Sequence, residues 1–444
     1  MSQDNRKISE YIRALYLPRN IIYIYLMVTV LLYFFGPVKW DIDNGLTIFL
    51  YLFISYACIW FGYSRCMKKR TIDYEYMKNV LYEDNFPYYA NLVRFIFIFA
   101  IVSHLVYSFY VYGGISLNKV LNMSQSYLDN RYSEKHYNIF TQIFTYLWGL
   151  NYCYLPFGIV FFKKFRLPDK ILFFSSLATD ILFWLSIGTM KGIGDIAFTA
   201  LLPFLAVTVK GKHDVYEIKN TRKKQKLLLV VAASVVFALF GYSSANRYLL
   251  RGHTTFSAIN KQMQPFVISE AMWPFAEATN SLIVNFTHGY TGLAYALKLP
   301  FQWTYFVGNS RSLTSIIERT LQTNEISSIT YCQRLEDVYG WANGSIWPTA
   351  FTWLASDITF VGVPILLILL SYLWAKAICE AIVDNNIISL IFANYLTIFF
   401  IYLPMNNQIV QSDRSFYSLI LLGILYIVNS SKRVLTIGKL RLRL

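Results

Sequence analysis

Two arginines lie four residues apart where a long apolar stretch ends, in segment 244–253. If helical geometry continues through this segment, Arg247 and Arg251 lie on one helix face, one turn apart. Two guanidinium groups arranged in this way form a fork that matches a phosphate or pyrophosphate. The same spacing also suits two basic side chains that anchor a helix end at a membrane surface. The pair is therefore a candidate catalytic site, with anchoring as the alternative.

A further cation lies in the short turn 189–195, where Lys191 and Asp195 flank two glycines. Glycine lets a backbone approach a ligand closely. Lys191 is therefore a candidate ligand for the same anionic group. A tight turn closed by a pair between Lys191 and Asp195 is the alternative.

Carboxylates, arginines and aromatic residues alternate between residues 311 and 341. Sugars stack on aromatic rings while their hydroxyls bind polar groups, so this mixture is typical of a sugar-binding cleft. A carboxylate or histidine can also take a proton from an attacking hydroxyl. Ordinary salt bridges and hydrogen bonds within a loop are the alternative. The candidate proton acceptors are Glu336, Asp337, His253 and His288, and the candidate substrate-binding arginines are Arg311, Arg319 and Arg334.

Two charged residues lie close to the ends of apolar runs. Asp357 falls in the outer third of a predicted span, where an acid is costly unless it faces protein or a water-filled cavity. Arg414 follows Asp413 at the outer edge of the last predicted span. We treat Asp357 and Arg414 as candidate substrate-binding residues in one cavity. For Asp357, a structural contact to a neighbouring side chain is the alternative.

The elements that must position these residues are membrane spans. The chain is 56% hydrophobic and only 15% charged, which is more apolar surface than one globular core can hide. Backbone in hydrocarbon must satisfy its own polar groups, so helices of roughly 20 apolar residues are expected. We predict an all-α polytopic membrane protein with about ten spans, or eleven to twelve if short or re-entrant helices are included. The predicted spans are 17–36, 46–64, 89–112, 139–162, 171–190, 196–209, 227–245, 349–373, 387–403 and 415–428.

Lysine and arginine beside the spans predict the orientation. With a cytoplasmic N-terminus, the basic clusters at 65–70, 163–170, 210–226 and 432–443 all fall on the cytoplasmic side. The C-terminus is then cytoplasmic as well. Three domains follow: a membrane block of about seven spans (1–246), a large outer segment (247–348) and a membrane block of about three spans (349–444). Within the outer segment, 281–299 is expected to form an interfacial amphipathic helix, with a partial eleventh span as the alternative.

Several classes of function lack support in the sequence. The net charge of +15 comes mostly from the cytoplasmic clusters, so it indicates contact with anionic membrane lipids and not with nucleic acid. The five cysteines have no paired spacing, and no nucleotide-binding or zinc-binding motif occurs. We therefore expect neither a metal nor a cofactor.

The layout and the run 344–364 (GSIWPTAFTWLASDITFVGVP) resemble the Wzy-type polymerases of O-antigen and capsule repeat units. In that family a large outer loop ends in a proline, here Pro348. A span then follows with an acid, an aromatic residue and a glycine, here Asp357, Phe360 and Gly362. The resemblance covers the layout of the whole chain, but only this run as a motif.

One feature of the family differs. Some members carry Arg-x-Gly spacings in two outer loops, whereas here Gly252 directly follows Arg251 and Gly340 lies six residues after Arg334. The resemblance therefore implies roles for the arginines without a fixed residue map.

The resemblance implies a membrane-embedded glycosyltransferase with the GT-C-like architecture of polymerases and ligases. It would act at the periplasmic face of the bacterial inner membrane. The growing glycan would pass from undecaprenyl pyrophosphate to a new lipid-linked repeat unit, without a cofactor. Arg247, Arg251 and Lys191 would then bind the pyrophosphate, and a chain-length regulator protein is a candidate partner. An O-antigen ligase and a flippase or transporter of lipid-linked oligosaccharides are the alternatives.

Overall fold

The structure is a computed structural model that describes residues 3–38, 40–69, 85–132, 137–189, 191–210, 273–343, 346–431, 435–437 and 440–442. The described part is almost entirely helical. Its helices are α1 (Gln3–Phe35), α2 (Gly45–Lys69), α3 (Phe86–Tyr112), α4 (Leu117–Leu121), α5 (Met123–Tyr132), α6 (Ile139–Tyr146), α7 (Tyr154–Phe161), α8 (Leu167–Ser186), α9 (Lys191–Lys210), α10 (Trp273–Ala296), α11 (Arg311–Leu321), α12 (Glu325–Ile329), α13 (Tyr331–Tyr339), α14 (Ala350–Val383), α15 (Ile387–Tyr402) and α16 (Asp413–Ser431), with 3-10 helices at Trp148–Tyr152 and Phe162–Lys164.

A small hairpin departs from the all-helical prediction. Strands β1 (Leu435–Ile437) and β2 (Leu440–Leu442) pair antiparallel, with Leu435 opposite Leu442. The hairpin comes after α16, the last helix in the chain. The fold class therefore remains that of a helical protein.

Five helices in the described part are long and apolar enough to cross a membrane: α1, α2, α3, α9 and α14. The helix α15 is apolar but shorter, with 16 residues. The predicted span 196–209 has too few apolar residues for a full crossing, but its helix α9 begins earlier, at Lys191. The predicted span 227–245 lies outside the described residues. The chain is a helical membrane protein.

The predicted span 139–162 is a broken helix. It consists of α6, the 3-10 helix Trp148–Tyr152 and α7. A Cβ at Gly149 would lie 3.2 Å from the Cα of Ser418, so the break occurs where the backbone approaches α16 closely. The break directs Trp148 and Asn151 into the protein, where both are buried.

Helix directions define the two ends of the bundle. Arg94 donates to Asp169 at 2.7 Å near the starts of α3 and α8, and His104 contacts Asp180 farther along both helices. The two helices are therefore parallel. At the end of α15, the Tyr402 hydroxyl donates to Asp195 in the first turns of α9 (2.9 Å). We call the end at which α3, α8 and α15 finish and α9 begins the outer end, in line with the predicted orientation.

The helix α10 packs among the spans. The Tyr290 hydroxyl lies 2.8 Å from that of Thr29 on α1 and 2.7 Å from that of Tyr56 on α2. Tyr290 and Leu293 are fully buried. The helix α10 therefore packs against α1 and α2, which the alternative of a partial span describes, and the interfacial placement expected for 281–299 stays a prediction. Consequently not all of 247–348 lies outside the bundle.

The helix α14 is divided at Thr359, where φ is 66° and ψ is 162°. Phe351 and Phe360 flank this break, and both rings contact Tyr51 of α2, at 5.8 and 5.6 Å between centroids. Backbone angles this far from helical values bend a helix. Asp357 lies next to this bend.

A candidate anion-binding site at the outer end

Arg414 lies in a cage of aromatic rings at the outer end. Its guanidinium carbon is 4.6 Å from the centroid of Trp148, 5.0 Å from Tyr107, 5.6 Å from Trp184 and 5.9 Å from Phe183. The α3 helix, the broken span and α8 supply these rings, and the first turn of α16 supplies the arginine. Rings at this distance attract a cation through their electron-rich faces. The cage therefore stabilises a positive charge at this point.

The charge of Arg414 has no carboxylate within salt-bridge distance in the described part of the chain. Its Nη1 is buried and makes no hydrogen bond there. The neighbouring Asp413 accepts a hydrogen bond from Ser312 of α11. A guanidinium nitrogen that is buried without an acceptor carries a desolvation cost. An anionic ligand that reached Arg414 would offset this cost.

Lys191 shares a wall of the cage with Arg414. Its ammonium lies 5.6 Å from the centroid of Trp184, the same distance as the guanidinium carbon of Arg414. Lys191 also forms an ion pair with Asp195 at 3.0 Å, so the pair that the sequence offered as the alternative is present. Two residues predicted separately to bind substrate thus converge on one indole.

Gln411 lies three residues before Arg414 in the chain. Both polar atoms of its amide are buried without a hydrogen-bond partner among the described residues. A buried amide in that state calls for water or a ligand. Nothing in the sequence singled out Gln411, because a glutamine in a polar connection has no distinguishing pattern.

A cavity of about 40 Å³ adjoins the cage, since Trp148 and Trp184 line both. One water needs roughly 10–15 Å³ of such space. The cavity therefore accommodates a few waters, and it is too small for a sugar. Its polar lining includes His104, Asn151, Tyr154, Asp180 and Asp195.

His104 and Asp180 form a buried pair in this lining. The Nε2 atom of His104 lies 3.0 Å from Asp180 Oδ1, and the Tyr154 hydroxyl donates to Oδ2 at 2.7 Å. The Nδ1 atom of His104 lies 2.7 Å from the carbonyl oxygen of Ala100. A carbonyl can only accept, so Nδ1 carries a proton. The sequence alone does not reveal this pair, because His104 on α3 and Asp180 on α8 lie 76 positions apart in the chain.

Asp357 has a structural role in the part of the chain described. Its carboxylate accepts from the backbone N–H groups of Gly308 at 3.1 Å and Asn309 at 2.8 Å. The Asn309 side chain (2.6 Å) and the Thr304 hydroxyl also donate to it. Four donors fill the capacity of a buried carboxylate. Asp357 therefore holds segment 304–309 in place. These contacts agree with a structural role, the alternative to substrate binding.

Glu336 and Asp337 lie on α13, which packs on α10 and α14 and not on the cage helices. Glu336 accepts from the backbone N–H of Asn343 (3.2 Å), and exposed Asp337 accepts from the side chain of Gln333 (3.0 Å). On the same helix, Arg334 donates to the carbonyl of Pro300 at 2.8 Å. These are contacts within a folded loop. The structure does not bring these predicted residues to Arg414.

The remaining predicted residues take three different positions. Exposed Arg311 lies 5.7 Å from the centroid of Trp347, and exposed Arg319 donates to a carbonyl of its own helix, that of Ser315, at 3.0 Å. His288 is buried in α10 with Nδ1 at 2.8 Å from the carbonyl oxygen of Val284. Arg247, Arg251 and His253 lie outside the described residues.

Neither a cluster of three potential metal ligands nor a disulfide occurs among the described residues. Burial raises the pKa of the Cys332 thiol on α13 well above its usual value. The thiol is therefore not a reactive nucleophile. The chain matches no protein-family model, and neither the curated proteins nor the solved structures contain a significant match.

Proposed function

We propose that this protein is a polymerase of lipid-linked oligosaccharide repeat units at the periplasmic face of the bacterial inner membrane. It would transfer the growing glycan from undecaprenyl pyrophosphate to a new undecaprenyl-pyrophosphate-linked unit. The observation that carries this proposal is the caged guanidinium of Arg414, which has a buried nitrogen without a partner among the described residues and shares the Trp184 ring with Lys191. The resemblance of residues 344–364 to the Wzy-type polymerases supports the same assignment.

The chemistry of this transfer requires a fixed positive charge. The bond between the donor sugar C1 and the pyrophosphate oxygen breaks, and a bond forms between C1 and an acceptor hydroxyl oxygen. Negative charge grows on the departing pyrophosphate, and preorganised cations lower the barrier to its departure. Arg414 and Lys191 would supply these cations, and the aromatic rings around Arg414 hold its guanidinium by cation–π attraction.

The acceptor hydroxyl must also lose its proton. Asp195 is a carboxylate within the site, since it pairs with Lys191 and lines the cavity. Its other oxygen accepts from Tyr402. Asp195 is therefore the proton acceptor that this geometry favours over Glu336 and Asp337 on α13.

The test replaces Arg414 by Met, which keeps a long apolar stem and removes the charge. Arg19 provides a matched control, because its guanidinium carbon also lies against a ring, 3.4 Å from the centroid of Trp60. Its donors bind Ser64 and Asn20, in the half of the bundle away from the outer end. We expect Arg414→Met to abolish long glycans and leave single repeat units, whereas Arg19→Met keeps them.

Three results obtained in the native host, with the variant or with the gene deleted, would contradict the proposal. Long glycans made at normal length by Arg414→Met would show that the cage has no role in polymerisation. Loss of the gene that leaves no repeat unit on the acceptor lipid would indicate a flippase or a ligase. If loss of the gene leaves long polymer that stays on undecaprenyl pyrophosphate, the protein is the ligase.

A transporter of lipid-linked oligosaccharides is the second candidate, and one observation favours it. His104, Asp180 and Asp195 are ionisable, buried within membrane helices and line a cavity of water size. Such residues often mark proton pathways in transporters. Proteoliposomes would show proton-driven movement of the lipid-linked substrate, lost in Asp180→Asn, if this candidate is correct. Polymer formation that survives Asp180→Asn, without any movement, would exclude it.

A further inference from the structure

An exposed group of aromatic residues lies in the segment between α10 and α11. Trp303 is 46% exposed, Tyr305 is 61% exposed and Phe306 is 63% exposed. The Trp303 ring lies 4.9 Å from that of Tyr305 and 5.5 Å from that of Phe306, between centroids. We call Trp303, Tyr305 and Phe306 the aromatic loop. Burying rings is favourable, so a cluster of exposed rings calls for an explanation.

The backbone of the aromatic loop is held in an unfavourable conformation. Tyr305 has a φ of 58° and Phe306 a φ of 63°, in the left-handed region that bulky side chains seldom adopt. Thr304, which precedes them, is fully buried, and its backbone N–H donates to the carbonyl of Ser356 at 3.3 Å. The Asp357 carboxylate binds the residues on either side of the two rings. The fold therefore maintains their exposure at a cost in backbone energy.

The loop lies beside a lipid-facing surface. Ser356 and Asp357, which hold it, come just before the bend of α14 at Thr359. Beyond the bend, Val361, Ile365 and Leu369 recur at four-residue intervals and are 79%, 60% and 63% exposed. Apolar residues at this spacing form one stripe along a helix, and α14 is long and apolar enough to span the membrane. The stripe therefore faces lipid, and the aromatic loop lies close to the end at which it begins.

We propose that the aromatic loop is a membrane anchor that inserts into the interface between lipid headgroups and hydrocarbon. Trp and Tyr rings favour this layer because it accommodates both an apolar ring and a polar edge. Segment 304–309 is bonded to the connection that leads to Arg414, because Asn407 donates to the carbonyl of Asn309 at 3.0 Å and Ser310 donates to that of Val410 at 2.7 Å. The anchor thus fixes the depth of this segment relative to the membrane surface, whichever reaction the protein performs.

The first experiment measures the depth of the loop with a spin label. A nitroxide is attached to Tyr305→Cys in a variant without the native cysteines and reconstituted in liposomes. The control label is at Glu325→Cys, a charged and exposed residue of α12. We expect the Tyr305 label to collide with oxygen and to be shielded from a water-soluble nickel chelate, whereas the Glu325 label meets the chelate freely. Equal access of the chelate to both labels would overturn the proposal.

A second experiment leaves the loop backbone intact. Trp303→Phe retains an aromatic ring, so the difference in emission between the native protein and this variant reports on Trp303. Lipids brominated near the headgroup should quench this difference emission more strongly than lipids brominated at the chain end. Absence of quenching by either lipid would contradict insertion. Quenching that disappears when soluble oligosaccharide is added would instead identify the loop as a sugar-binding platform and would also overturn the proposal.

Discussion

Replacement of Asp357 by Asn tests whether one carboxylate organises the segment between α10 and α11. The native carboxylate accepts four hydrogen bonds, two on each oxygen. An asparagine amide has only one acceptor oxygen and presents its own N–H₂ group to the remaining donors. In the best orientation its oxygen faces Asn309, and the Thr304 hydroxyl turns its single proton to the carbonyl oxygen of Ser356, 2.8 Å away. The backbone N–H of Gly308 then has no acceptor.

The magnitude follows from these losses. One buried donor without a partner costs about 1–3 kcal/mol. Loss of the ionised acceptor weakens the bonds to Asn309 as well, since charge-assisted bonds are about twice as strong as neutral ones. Together we expect about 2–4 kcal/mol of local destabilisation. A factor of ten corresponds to about 1.4 kcal/mol, so amide exchange in segment 304–310 should accelerate by roughly 30- to 1,000-fold.

Hydrogen exchange followed by mass spectrometry of peptides that cover 300–312 measures this effect. Glu380→Gln is the control, because Glu380 is also a buried carboxylate on α14 and accepts from Ser389 at 3.0 Å. It should leave exchange in segment 304–310 unchanged. If amide exchange in segment 304–310 is as slow in Asp357→Asn as in the native protein, the Asp357 carboxylate does not hold this segment in place. Equal acceleration in both variants would indicate a general loosening of α14.

Two further predictions concern packing and reactivity. Gly62→Ala places a Cβ 2.2 Å from Ser371 Oγ, so we expect it to lower stability by about 1–3 kcal/mol in detergent unfolding. Gly45→Ala should be tolerated, because the nearest atom to its Cβ would be 3.7 Å away. Cys332, with its raised pKa and buried thiol, should resist maleimide at pH 8 in the native protein and react once it is unfolded.

One specific result would contradict each of these two predictions. Equal unfolding midpoints for Gly62→Ala and Gly45→Ala would show that α2 and α14 are not in close contact at this glycine. Rapid labelling of Cys332 in the native state would show that α13 does not cover its thiol.

The long spans could be predicted from the sequence because length and apolar content are local properties. The predicted spans 46–64 and 89–112 fall within observed helices, and 17–36 extends one residue beyond the end of α1. The break in 139–162 was missed, although Gly149 and Pro156 were visible signals of interruption. The packing of α10 could not be read from its sequence, because its Thr and Tyr residues are accommodated only through partners on α1 and α2.

The site could be predicted only in part. Lys191 and Arg414 were recognised because a cation at the end of a span is conspicuous in a linear sequence. Their convergence on Trp184 depends on how α8, α9 and α16 pack, and no local pattern encodes this. For the same reason His104 and Asp180 were missed. Glu336 and Asp337 were selected for their chemistry alone, and the fold uses them in contacts within the loop.

We propose that the caged arginine promotes polymerisation at a lipid pyrophosphate. The most direct measurement incubates the purified protein in lipid with a labelled undecaprenyl-pyrophosphate repeat unit and resolves the glycan lengths of the products. We predict a ladder of polymers with release of undecaprenyl pyrophosphate for the native protein and for Arg19→Met, and only single units for Arg414→Met. A native protein that makes no ladder, or an Arg414→Met variant that makes the same ladder as the native protein, would contradict this role of Arg414.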